Sequence, residues 1–83
     1  MLNQQLMFTI LQGIDTLLKN GVLPVSDDHL EHLSQGGNIL EYLIAMKNQG
    51  WISGDLITIS STGAPHRITN IRLTYSGIRA LRQ

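Results

Sequence analysis

The sequence has no cysteine, so disulfides, thiolate metal sites and a cysteine nucleophile are all excluded. That absence also gives no sign of secretion, and Met1-Leu2-Asn3-Gln4-Gln5 lacks the positive start of a signal peptide. There is no long apolar run, because polar residues break up the apolar stretches, so no segment is expected to span a bilayer. None of the serines sits in a nucleophile-elbow pattern, and the glycines lack the spacing of a phosphate-binding loop. No catalytic residue, cofactor or metal site is therefore assigned, and the chain is read as a cytoplasmic protein that is not an enzyme. At 83 residues it is too short for a doubly wound or barrel enzyme, which needs roughly 150–250 residues. The expectation is one domain spanning residues 1–83, with a core that buries only about 60% of the unfolded chain's surface.

The net charge is zero, and that number hides an asymmetry. All six acids lie in residues 1–55 with two lysines, leaving that part at −4. Residues 56–83 carry four arginines and no acid, and so stand at +4. Such a split between halves hints at a charged partner.

Along the chain, Leu6, Met7, Ile10, Leu11, Ile14, Leu17 and Leu18 recur at helical intervals and predict an amphipathic helix over residues 3–20. Gly13 marks a close contact of that helix, and Asn20-Gly21 is its left-handed stop. Val22-Leu23-Pro24-Val25 is extended before its proline. Ser26 then caps a short second helix, with Asp27 and Asp28 set against its dipole and Leu30 and Leu33 turned inward. After the turn Gln35-Gly36-Gly37, Asn38 and Glu41 form a variant capping box for a third helix that ends at Asn48-Gln49-Gly50. Leu56, Ile57 and Ile59, and then Ile68, Ile71 and Leu73, are β-favouring runs separated by the turn formers of residues 60–66, which predicts a hairpin. Thr74 caps a last short helix.

Helix, turn, helix and then hairpin is the order of an α+β winged helix-turn-helix: three helices, a β-hairpin wing and a short C-terminal helix. The expected core is Leu6, Ile10, Leu11, Ile14, Leu17, Leu30, Leu33, Leu40, Leu43, Ile44, Trp51, Ile59 and Ile71.

Two segments carry a resemblance. Residues 43–52, LIAMKNQGWI, look like the helix–glycine–aromatic–isoleucine junction of many winged helices, and residues 73–81, LTYSGIRAL, are similar to the start of the helix after the wing. Both resemble MarR- and PadR-type regulators. The whole chain, with its N-terminal helix and the proline loop Leu23-Pro24-Val25-Ser26, resembles more closely the small YjcQ-like family of bacterial and prophage winged-helix proteins. The resemblance implies the fold. It carries no settled activity, because winged helices also serve as protein-interaction modules.

Read as a recognition helix with Leu40 and Leu43 inward, the third helix turns Asn38, Glu41, Tyr42, Ala45, Asn48 and Gln49 outward, with Lys47 at the border. Asn and Gln side chains suit the adenine edge, and Tyr42 suits a phosphate or a thymine methyl. The wing offers Ser61, Thr62, Gly63, His66 and Arg67 to a DNA backbone or minor groove. Double-stranded DNA is thus the expected partner of a small transcriptional regulator, and a homodimer would double its contacts. The alternative is a protein–protein interaction module without DNA binding. His29 and His32, three apart, could share a helix face with a third ligand from His66 or a carboxylate, but they read as a solvated polar face.

Overall fold

The computed structural model describes residues 3–34, 38–58 and 65–82, with backbone alone at 65 and 66. Three α-helices and one antiparallel hairpin follow in the order α1 (Gln4–Lys19), two 3₁₀ turns (Asp27–His29 and Glu31–Ser34), α2 (Ile39–Asn48), β1 (Ile52–Thr58), β2 (Pro65–Leu73) and α3 (Tyr75–Leu81). Among the described residues no helix is long and apolar enough to cross a membrane.

Each helix starts and stops where its polar residues dictate. The Asn3 side chain accepts the Leu6 N–H at 3.1 Å and opens α1. Gly21, at φ +82°, closes it, with the Val22 N–H donating to the Leu17 carbonyl across the turn. Gly50 ends α2 in the same way, at φ +82°, with the Trp51 N–H on the Met46 carbonyl. The second predicted helix is two 3₁₀ turns rather than an α-helix. Only Leu30 in that stretch is a fully buried apolar side chain, too little to hold a longer helix in place. Ser26 is its N-cap as expected, and the His29 Nδ1 accepts the Ser26 N–H at 3.1 Å.

The core is built from Leu6, Met7, Ile10, Leu11 and Ile14 of α1, Val25 and Leu30, Ile39, Tyr42, Leu43 and Met46 of α2, and Ile52, Ile68 and Ile71 of the hairpin. Several expected members stand at its edge: Leu17, Leu33, Leu40 and Trp51 are partly buried against it. Ile44 is half-buried and lies outside it, and Ile59 falls outside the described residues.

Ile68 and Ile71 are three apart, so a regular strand would send them to opposite faces. Both are fully buried because β2 carries a bulge between them. Asp55 pairs with Thr69 and Ser53 with Arg72, so one residue of β1 faces two of β2. Asn70 holds the left-handed conformation this requires, at φ +56°. Just past the bulge the Ile71 N–H donates to the Val25 carbonyl at 2.9 Å, and this bridge makes β2 the middle of three extended segments.

Candidate nucleic-acid interface

The third predicted helix is α2, and its rotation about its axis decides which side chains it offers. Ile39, Tyr42, Leu43 and Met46 form its buried stripe. This corrects the expected phase, in which Leu40, Leu43 and Ile44 faced inward. Nearly every residue from 39 to 46 is apolar, so apolar spacing alone leaves the phase undetermined. Glu41 and Asn48, seven apart on one line, carry the missing signal: the positions opposite them are 39, 43 and 46.

Tyr42 is consequently buried and offers nothing to a groove. Its hydroxyl accepts the Asn3 N–H at 3.1 Å and so ties α2 to the start of α1. A tyrosine tolerates burial when its hydroxyl finds such a partner. Tyr42→Phe is therefore expected to cost about 1 kcal/mol, measured by urea denaturation, because it leaves a partly buried N–H unpaired.

The other α2 candidates divide. Asn48 and Gln49 are exposed at the C-terminal end, with Lys47 half-buried beside them. Ala45 is half-buried against the core rather than facing out. Asn38 is exposed, but its side-chain oxygen accepts the Leu40 N–H at 3.0 Å as the helix cap. A two-point contact to adenine would need that oxygen free. Glu41 is exposed on the outer face, with Ile44 near it.

The hairpin corrects a second expectation. Arg67 is not a free cation beside the wing tip. Its Nε lies 3.4 Å from Asp27, and its Nη2 is paired with Asp28. Asp27 also accepts the Ile68 N–H at 3.4 Å. The two acids that read as helix-dipole partners lie where β2 passes the first 3₁₀ turn. The Asp27 side chain is 15% exposed and that of Asp28 62%, so the inner half of the cluster is structural and the outer half is open to water. Removing Arg67 would strand the poorly solvated Asp27 charge. Arg67→Met is expected to lower stability by about 1 kcal/mol in thermal melts at low salt, and by less at high salt. Of the other wing candidates, Ser61, Thr62, Gly63 and the His66 side chain lie outside the described residues.

Among the described residues, Lys19 pairs with Asp15 at 2.9 Å, while Arg72, Arg79 and Arg82 are exposed with no carboxylate in ion-pair range. The arginine-rich segment is thus tied at Arg67 to the acidic half and open at its other three positions. His29 is engaged by Ser26, and no described group of three side chains could hold a metal ion.

The distal part of the hairpin exposes its first strand. Asp55, Leu56, Ile57 and Thr58 of β1 are all exposed, whereas on β2 opposite them Ile68 is fully buried and Arg67 is held by Asp27 and Asp28. Its base packs on α2, which contacts both strands. Comparisons of the chain with family models, with curated proteins and with solved structures give no match.

Proposed function

We propose that the chain is a winged helix-turn-helix domain of YjcQ-like type that binds double-stranded DNA as a small cytoplasmic regulator, without catalysis. The observation that carries this reading is the hairpin, whose β1 residues 55–58 are exposed, packed on a helix whose exposed end presents Asn48 and Gln49. A helix and an adjoining hairpin of this kind can follow a groove and its flanking backbone together. Asn48 and Gln49 would read base edges, and Lys47 and Arg72 would meet phosphates. So few cations imply weak binding by one copy, and a homodimer would strengthen it.

The test is fluorescence anisotropy of a labelled duplex at two salt concentrations. Binding is expected at tens of micromolar protein in about 50 mM salt, fading steeply by about 200 mM. Lys47→Ala should reduce the logarithmic salt slope by about 1. Asp28→Asn should raise affinity, because it releases the outer half of the Arg67 guanidinium for a phosphate. No binding by the wild-type chain at low salt would sink the proposal. A second reading, a protein-interaction surface on α2, is favoured by the outer placement of Glu41 and Ile44, an acid and an aliphatic side chain unsuited to phosphates.

A further inference from the structure

The most distinctive unpartnered surface lies on α3, an element the DNA reading does not use. Tyr75, Ile78, Arg79 and Arg82 follow the i, i+3, i+4, i+7 spacing of one helix face, and all four are exposed. Tyr75 is 75% exposed and Ile78 38%, while the other exposed large apolar side chains among the described residues, Leu23, Leu56 and Ile57, lie elsewhere in the fold. The Arg79 guanidinium lies 5.7 Å from the centre of the Tyr75 ring, which restrains it against its own helix. Beside this face an open groove of about 680 Å³ runs between α3 and α1, with Phe8, Ile78, Ala80 and Leu81 contributing apolar surface and Arg82 among its lining residues. Across the groove the Asp15–Lys19 pair, 2.9 Å apart, neutralises itself. Among the described residues, Arg82 is left as the groove's uncompensated charge, with Arg79 on the adjoining surface.

We propose that this groove binds an acidic amphipathic helix from a protein partner. Such a helix would lay its apolar stripe on Ile78 and Phe8 and direct Asp or Glu side chains to Arg79 and Arg82. Exposed aromatic, aliphatic and arginine side chains on one face are the residue types that carry binding energy at interfaces. Arginine also grips carboxylates with two parallel hydrogen bonds. A second copy fits the groove poorly, because a two-fold contact through α3 would gather Arg79 and Arg82 of both copies into one interface. The acids with no ion-pair partner among the described residues, Glu31, Glu41 and Asp55, lie on other elements. A nucleic-acid backbone would meet the arginines but leave Tyr75 and Ile78 uncovered.

The test pans a phage library of random peptides of about 15 residues, roughly 22 Å long as helices, on the immobilised full chain. The best selected peptide is then labelled and titrated in solution. Selected sequences should carry two or more acids beside an i, i+3/i+4, i+7 apolar stripe. Arg79→Ala with Arg82→Ala should weaken binding about tenfold or more, and Ile78→Glu should abolish it. Arg79 and Arg82 are exposed, so circular dichroism and melting should be unchanged in the arginine variant, and circular dichroism should show that Ile78→Glu is still folded. Selection of neutral or basic peptides, no selection at all, or binding indifferent to both variants would overturn the proposal. So would displacement of the peptide by unlabelled duplex, or a sedimentation dimer that Ile78→Glu dissociates.

Discussion

Gly77→Ala is expected to lower the unfolding free energy by about 3 kcal/mol. A Cβ built at residue 77 lies 2.0 Å from the Trp51 carbonyl oxygen and 3.0 Å from its carbon. Both are backbone atoms, so no side-chain rotation can clear the space. α3 would have to lift away, and the joint beneath it would open. In that joint the Thr74 N–H donates to the Trp51 carbonyl at 3.0 Å, the Thr74 hydroxyl donates to the Gly50 carbonyl, and the Gly77 N–H donates to the Thr74 hydroxyl oxygen at 3.1 Å. Alanine's better helix propensity returns about 1 kcal/mol, too little to offset the clash. An 83-residue chain has a total stability of roughly 4–12 kcal/mol. The melting temperature should therefore fall by about 10–20 °C, while Ser76→Ala, at an exposed neighbour, should barely move it. An unchanged melt for Gly77→Ala would show that α3 does not rest on residue 51.

Ile71→Ala should cost a similar amount, about 3–4 kcal/mol in urea unfolding. Ile71 is fully buried, and its backbone N–H is the donor of the bridge to Val25, so the neighbouring segments cannot readily collapse into the cavity. The bulge supplies an internal comparison. Asn70→Gly should be nearly neutral, since glycine adopts φ +56° freely. Asn70→Val should cost about 1–2 kcal/mol, because a β-branched residue resists that conformation. Equal losses for Asn70→Gly and Asn70→Val would mean that the left-handed residue is not what turns Ile71 inward.

Much of the architecture was legible because it is punctuated by local chemistry. Asn20-Gly21 and Asn48-Gln49-Gly50 stop helices at the left-handed glycines, and Ser26, Asn38 and Thr74 stand at the N-caps. The resemblance quoted for residues 73–81 also has a physical meaning: threonine builds the joint, and glycine leaves room for a carbonyl. Three features were not legible, each for its own reason. The phase of α2 was hidden by apolar residues on nearly every side, and Tyr42 read as outward because its hydroxyl partner, the Asn3 N–H, lies 39 positions away. The engagement of Arg67 by Asp27 and Asp28 joins segments that no local pattern connects. The bulge at Asn70 disguised itself as a misplaced isoleucine, since Ile68 and Ile71 break the alternation of a plain strand.

The Val25–Ile71 bridge has a consequence for how the chain assembles. More than half of the sequence lies between its two ends, so closing that loop sacrifices far more chain entropy than zipping the neighbouring strands of the hairpin. The hairpin is therefore expected to pair before the bridge closes, and the joining of Val25 to Ile71 to come late in folding.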